Sequence, residues 1–478
     1  MTPVRPNRFN RSVFAKINYD FFTVSAVTAK GHPPLNAPAV KISSVTNSSL
    51  EVQPGSLFVP LADRRDGHDY IADAFKRGAV ASFIREGHPV IKTLPAVDRI
   101  RLIPVQDPLI ALGKLAAFHR RRFAPMVIAV TGSNGKTTTK EMLAQIFHAH
   151  LGRACIATEK NYNNHIGLPF TLFAIGPETR AAIVEMGMNH AGEISYLSQL
   201  ALPHVAVISS IGHAHIEFFR SRSGIAAAKA EIIDGMPQGG ALYVPKTIAE
   251  LATVAAAAKR RKILLHKIDA SMKNKSALQI LSHSAAGFQL GLRGERVLFP
   301  YANKAWVSNL ALAAAVAGDA GIPTEKIAGA IRRFEPAAGR MQIIKGYFRV
   351  IDDGYNANPD SAVASIDSAL QIADGRPVVC VFGDFKELGK FSKALHAWTG
   401  AEAAKARISA FYGVGSDMRH AVAAFRKIAG KKAPAYLFAR DAVGALCEQL
   451  RTEPKGAVIL VKGSRSMKME EIVNMLIA

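Results

Sequence analysis

The sequence predicts an α/β protein in three units. These are a small N-terminal α/β unit over residues 1–122, a central unit with a parallel sheet over 123–338, and a C-terminal Rossmann-like unit over 339–478. Three observations predict it. The chain has 478 residues, and about 150 residues make a typical domain. Apolar runs at MVIAV (126–130), AAIVEMG (181–187) and VAVISSIG (205–212) alternate with helical stretches, as parallel strands buried on both faces do. The same alternation restarts near Arg340, with strands at YFRVIDD (347–353), PVVCVFGD (377–384), ISAFYGVG (408–415) and GAVILVKG (456–463), a second doubly wound pattern.

The elements follow in order. LFVPL (57–61) reads as a buried strand, DYIADAFKRGA (69–79) as an amphipathic helix and GAVASFI (78–84) as the next strand, a β-α-β unit. Residues 111–122 read as a helix ending in basic residues, which suit the negative end of a helix dipole. Pro125 then punctuates the chain. Central helices are expected near 137–150 and 224–235. The alternating FQLGLRGERVLF within 270–300 reads as a peripheral hairpin, and AWVSNLALAAAVAGDA (305–320) as an Ala-rich helix.

Apolar residues make up 49% and charged residues 20%, which places the chain among globular proteins rather than disordered ones. No apolar run reaches the ~20 residues that span a bilayer, so no membrane insertion is expected. Cys155, Cys380 and Cys447 are too far apart in sequence to suggest a disulfide framework or paired zinc ligands. The start of the chain carries Arg5, Arg8 and Arg11 without an apolar core, so a cytoplasmic protein without a secretory signal is expected. The net charge of +23 favours polyanionic partners such as nucleotides.

TGSNGKTTTK (131–140) follows a strand and opens a helix, the context of a phosphate-binding loop. Gly132 and Gly135 let the backbone approach phosphate, and the N–H groups of Ser133, Asn134 and Thr138 form an anion nest at a helix start. Lys136 can neutralise β- and γ-phosphate charge, and the Thr137 hydroxyl can ligate Mg²⁺. Two residues separate the glycines where the usual loop has four. Glu185 ends a strand, where a carboxylate can face the loop and hold Mg²⁺.

The shortened TGxNGKTT loop resembles that of the Mur ligases and the folylpolyglutamate synthases. NYNNHIGLP (161–169), VEMGMNHAGEI (184–194) and SSIGHAHIEFFRSRSGIAAAKAEI (209–232) follow in the order and spacing of Mur ligases. This resemblance implies ATP as cosubstrate, Mg²⁺ as cofactor, and activation of a carboxylate as an acyl phosphate. It makes His215 a metal ligand and Lys229 a lysine that is carbamylated to ligate a second Mg²⁺. It leaves His213 as a loop residue. Carbamylation needs a neutral amine, so burial or nearby cations must lower the lysine pKa; from spacing alone Lys229 is a solvated lysine on an Ala-rich helix. Asn309 matches an asparagine that contacts adenine, although Asn303 and Ala305 stand where a Gly-x-His is usual; otherwise it reads as a helix-start cap. Asn163 and Asn164 are implied substrate contacts.

EPAAGR (335–340), IDDGYNANPDS (351–361), FGDFKELGKFSKALH (382–396) and VKGSRSMKMEEIV (461–473) extend the resemblance to Mur ligases that add D-alanyl-D-alanine to a UDP-muramoyl tripeptide. Arg340 and Asp353 are then expected to reach the nucleotide from the third unit. Tyr355, Asn356 and Asn358 are expected at the incoming amine. Lys462 and Ser464 follow a strand, where open α/β sheets bind ligands.

The first unit departs from the pattern. Asn47, Ser48 and Ser49 stand where an Asp-Ser-Arg contacts the UDP moiety, with Lys41, Arg64 and Arg65 as nearby cations. DGH (66–68) is kept. A Mur-type amide ligase acting on another carboxylate is therefore the alternative. A phosphate-loop nucleic-acid ATPase is a third reading, but it gives YNANPDS no role. Small-molecule substrates, no nucleic acid and a monomer are expected.

Overall fold

The computed structural model describes residues 14–16, 42–62, 65–270 and 278–477. Lys41 and Arg64 lie outside them.

The first unit holds one sheet in the spatial order of its sequence: β1 (Phe14–Lys16), β2 (Ser44–Thr46), β3 (Ser56–Phe58), β4 (Ala79–Arg85) and β5 (Leu102–Val105). β1 pairs antiparallel and the rest pair parallel. The expected 57–61 strand is shorter, because Pro60 has no N–H for a ladder. The expected 69–79 helix is also shorter. Asp66 caps a 3-10 turn at Gly67–Tyr70, and the α-helix runs only over Ile71–Lys76. DGH is a structural knot. Asp66 Oδ1 accepts from the His68 backbone N–H (3.0 Å) and meets His68 Nδ1 at 2.7 Å, while its Oδ2 meets His88 Nε2 at 3.1 Å. His68 Nε2 accepts from the Arg85 N–H and His88 Nδ1 from the Val90 N–H. Both rings thus donate to Asp66, and neither keeps a lone pair for a metal.

The helix Pro108–Arg121 leaves this sheet and packs on the helices Gly167–Phe173 and Glu193–Ala201. His119 Nε2 meets the Ile175 carbonyl at 2.8 Å, and Arg120 donates to the carbonyls of Ala201 and Leu202. The last helix of the expected first unit is therefore anchored on the central one.

The central sheet is all parallel. Its strands are β6 (Met126–Thr131), β7 (Cys155–Ala157), β8 (Ala181–Glu185), β9 (Val205–Ile208), β10 (Ala241–Pro245) and β11 (Leu264–Ile268), in the order β11-β10-β9-β6-β8-β7. Order reverses beside β6, so the loop after β6 opens at a topological switch point, where doubly wound sheets bind ligands. The expected hairpin is a three-stranded antiparallel meander of β12 (Leu278–Ser284), β13 (Gly287–Leu292) and β14 (Glu295–Phe299). Its second turn is Arg293-Gly294, both at positive φ, the geometry of a tight hairpin turn. The Ala-rich helix runs over Lys304–Asp319 and is capped by Asn303, whose side chain accepts from the Trp306 N–H.

The third unit orders its strands β15-β16-β20-β17-β18-β19: β15 (Gln342–Lys345), β16 (Arg349–Asp352), β17 (Val378–Gly383), β18 (Ala410–Val414), β19 (Ala435–Phe438) and β20 (Val458–Lys462). All pairs are parallel except the edge strand β15 on β16. The edge strands β15 and β19 were not anticipated from sequence. Among the described residues no helix is long and apolar enough to cross a membrane.

Candidate functional site

The loop after β6 and the helix Lys136–Leu151 form one wall of a cleft of about 1030 Å³ shared by the central and third units. Gly135 sits at φ +80°, and a Cβ there would stand 2.7 Å from the Asn309 amide. Asn309 is buried in the second turn of its helix. It is not the cap, which Asn303 provides; it lines the cleft and supports the loop from beneath. The loop is also braced by residues not singled out from sequence. Ser209 and Ser210 hydroxyls donate to the Asn134 carbonyl at 2.6 and 2.9 Å, Ser210 Oγ accepts from the Asn134 N–H, and Ser133 Oγ accepts from the Gly212 N–H. Gly132, Ser133, Asn134, Thr137 and Thr138 therefore arrive as a fixed frame.

Cations gather at this frame. Lys136 Nζ turns back on the Gly132 carbonyl at 2.7 Å. Arg340 Nη2 donates to Thr137 Oγ1 at 3.0 Å and its guanidinium lies 4.5 Å from the Tyr355 ring centre. Lys229, in the helix Arg222–Ala230, is buried at 1% exposure. Its amine makes no hydrogen bond or ion pair among the described residues. Burial, and then the Lys136 ammonium, push its pKa well below the ordinary lysine value. The solvated-lysine reading from spacing fails on this geometry. Burial also lowers Lys136; Glu185 opposes this and Arg340 adds to it.

Glu185 is the carboxylate that acts on the Lys136 ammonium. It ends β8 and is buried. Its Oε1 accepts from Asn163 Nδ2 at 2.7 Å, while Oε2 is buried without a hydrogen-bond partner. A buried, half-satisfied carboxylate lining the same cleft as the Thr137 hydroxyl supplies oxygen donors of the kind Mg²⁺ takes, so these residues fit the metal. His215 has φ +63°, an uncommon conformation for a non-glycine residue. Its Nδ1 lies 2.6 Å from Glu387 Oε2, which leaves Nε2 for a ligand. The His215 contact holds the Glu387 carboxyl below its usual range. Glu387, within FKELG of the third unit, was not singled out from sequence.

Other expected substrate residues have defined partners. Asn164 Oδ1 accepts from the N–H groups of Ile166 and Gly167 and starts the helix Gly167–Phe173. Asn358 caps the helix Pro359–Ala373 in a reciprocal box with Ser361, and its amide exchanges hydrogen bonds with Asn134 at 2.7 and 3.2 Å. Asn356 Oδ1 accepts from the Ala357 and Arg465 N–H groups. Lys462, the last residue of β20, is buried against Asp353 at 2.5 Å and donates to the Asn356 carbonyl at 3.2 Å. Asp353 also accepts from Ser365 and from the Met341 N–H. Its carboxylate is thus engaged inside the third unit, and the pair pins the 353–358 loop. Ser464 Oγ accepts from the Lys386 N–H and faces the Ala357 carbonyl. Tyr355, Asn356, Asn358, Lys462 and Ser464 all line the cleft.

Asn47 and Ser48 follow β2 directly, and Ser49 is buried. Arg65 donates to the Tyr70 hydroxyl at 3.3 Å.

Comparison with known proteins agrees with this arrangement. The family model described as "Mur ligase middle domain" matches residues 130–317, and that described as "Mur ligase, glutamate ligase domain" matches residues 339–465. The UDP-N-acetylmuramoyl-tripeptide–D-alanyl-D-alanine ligase of Bacillus subtilis is 34% identical over 91% of this chain and 93% of its own length. The Escherichia coli protein of that name is 32% identical over 95% and 98%. A crystal structure of MurF from Acinetobacter baumannii superposes with TM-score 0.81 at 30% identity, covering 95% of this chain and 97% of that one. MurF from Thermotoga maritima in complex with ADP gives TM-score 0.76 at 25% identity over 90% and 96%. A phosphate-loop sheet, a buried lysine–carboxylate cluster and a third unit closing over them, matched along nearly the whole chain by such relatives, establish that the chain belongs to the Mur ligase family.

Proposed function

We propose that this chain is an ATP-dependent, ADP-forming peptide ligase of the cytoplasm that joins D-alanyl-D-alanine to UDP-N-acetylmuramoyl tripeptide in peptidoglycan precursor synthesis. It acts as a monomer in three units, 1–122, 123–338 and 339–478. The observation that carries the reading is the cleft itself. Lys136, Arg340 and the carboxylate Glu185 line it under a glycine loop at a helix start, with Lys229 buried near enough to Lys136 to feel its charge, a receptor for a nucleoside triphosphate. The names of the relatives supply the substrates.

The acceptor carboxylate attacks the γ-phosphorus of ATP, breaking the bond to the β,γ-bridging oxygen and giving an acyl phosphate and ADP. Lys136 and Arg340 spread the charge on the transferring phosphoryl group. Thr137, Glu185, His215 and a carbamylated Lys229 would hold Mg²⁺, which supplies Lewis-acid stabilisation of phosphate charge. Asn163 orients Glu185, and Glu387 orients His215. The amine of D-alanyl-D-alanine, positioned by the 355–358 loop, attacks the acyl carbon. The tetrahedral intermediate expels phosphate and leaves the amide. Exclusion of water matters because hydrolysis of the acyl phosphate competes.

The alternative of another carboxylate acceptor, raised by Asn47, Ser48 and Ser49, is not favoured, since the named relatives match across the first unit too. ADP release measured with UDP-muramoyl tripeptide, unrelated carboxylates and several amines tests the reading. No turnover of the tripeptide with D-alanyl-D-alanine overturns it.

A further inference from the structure

The third unit touches the central one beyond the groups assigned above. Asp360 is the second residue of the helix Pro359–Ala373. Its Oδ2 accepts from the His213 backbone N–H at 2.6 Å, and His213 Nδ1 lies 2.9 and 3.1 Å from its two oxygens. The seat is shaped for a carboxylate. A Cβ on Gly212 would stand 2.7 Å from Asp360 Oδ2 and 3.0 Å from Cγ, so the missing side chain is what lets the two units approach. Arg222 acts electrostatically on Asp360 and is itself held by Glu250, Nε to Oε1 at 2.8 Å. The His213 ring also faces Trp398, 6.0 Å between ring centres, from the helix Ser392–Lys405. One residue of the central unit thus enters a notch between two helices of the third.

We propose that Asp360 and its seat at Gly212–His213 form a latch that keeps the third unit docked on the central unit between phosphoryl transfer and amine attack. These are positioning residues. The side chains of Asp360 and His213 hydrogen-bond each other rather than the phosphate loop, while the Gly212 N–H also braces the loop through Ser133 Oγ; the latch acts by keeping the 355–358 loop over the phosphate frame. The contact is charge-assisted and two-pointed, which gives it strength and direction. The side chains retain 25% and 19% exposure, so water can compete and the latch can open for product release.

The test compares wild type with Asp360→Ala, Asp360→Asn, Gly212→Ala and the double variant Gly212→Ala/Asp360→Ala. Its kinetic arm rests on the ligase reading; its scattering arm does not. Without ligands, Asp360→Ala and Gly212→Ala should show a larger radius of gyration than wild type. ATP affinity of Asp360→Ala should hold within about twofold. The rate of ligation should fall about tenfold, the cost of losing one charge-assisted contact. The KM for the amine should rise, and ADP released per amide formed should exceed the wild-type ratio. Asp360→Asn, which keeps an acceptor for the His213 N–H, should fall between. The double variant should be no worse than Asp360→Ala, because the added methyl then meets no carboxylate. Wild-type dimensions and coupling in a folded Asp360→Ala, or a loss carried by the KM for ATP alone, would overturn the latch. If wild type itself fails to ligate, the scattering result decides the latch independently.

Discussion

Lys229→Met isolates the least ordinary buried group near the phosphate loop. The Lys229 amine is buried, has no hydrogen-bond or ion-pair partner among the described residues, and is pushed further towards neutrality by the Lys136 charge. Keeping a lysine neutral at pH 7 costs about 5 kcal/mol, from a free pKa near 10.4 at ~1.36 kcal/mol per pH unit. That figure is the ceiling on what removing the amine can return. Methionine keeps the apolar stem, and imperfect packing takes back up to about 1.5 kcal/mol. In CO2-free, metal-free buffer the variant should therefore melt higher than wild type; a net 2 kcal/mol corresponds to about 4–8 °C for a domain of this size. The pH sign follows from proton counts. With the folded pKa lowered, the unfolded chain binds the extra proton up to pH ~10.4, so wild-type stability rises with pH and the gap to Lys229→Met closes. Bicarbonate with Mg²⁺ should stabilise wild type and leave the variant unmoved, while ligation by the variant collapses. Calorimetry at pH 7 and pH 9.5, with ADP release as the activity assay, reads all of this. A variant less stable than wild type at pH 7 by an amount independent of pH, or one that ligates within threefold of wild type, would refute the reasoning.

Lys136→Ala should lower the ligation rate by a factor on the order of a thousand, since preorganised charge is usually the largest catalytic term; near-wild-type turnover in single-turnover ADP release would remove it from the phosphate site. Glu185→Gln keeps the hydrogen bond to Asn163 but not the charge, so half-saturation by Mg²⁺ should rise at least about tenfold, and an unchanged Mg²⁺ titration would exclude Glu185 as a ligand. His119 is buried and its pKa is lowered to about 4 by desolvation, with the Ile175 carbonyl opposing. The unfolded chain then takes up the proton first as pH falls below about 6.5, which removes about 2 kcal/mol by pH 5. The difference in unfolding free energy between wild type and His119→Gln should shrink accordingly from pH 7.5 to 5, and a constant difference would count against a neutral His119.

Much of this protein is legible where a local pattern carries the physics. A strand of apolar residues followed by Gly-Lys-Thr-Thr can do little but bring backbone N–H groups to a helix start, and residues 126–151 do so. The parallel strands read from continuous apolar runs, because both their faces are covered. What was missed was also local in part: Pro60, which shortens β3, and the strand β12, which pairs with β13 and extends the expected hairpin into a meander.

The remainder is decided by contacts between distant segments. Nothing near Lys229 in the sequence distinguishes a buried, partnerless amine from a solvated one; the environment comes from Lys136, ninety-three positions earlier. Asn309 reads as a helix cap until Asn303 takes that place and Gly135 is found resting on its amide. That Lys462 closes on Asp353 is likewise absent from the sequence around either residue. His213 reads as a plain loop residue until Asp360 and Trp398 meet it from another unit. Sequence alone determined the central strands and the longer helices and which residue types cluster by motif, because those follow from periodicity and backbone chemistry within a few residues; the edge strands β15 and β19 did not follow from it. Burial, pairing and the closing of one unit on another were left to the tertiary structure, because desolvation and charge depend on what surrounds a group in space.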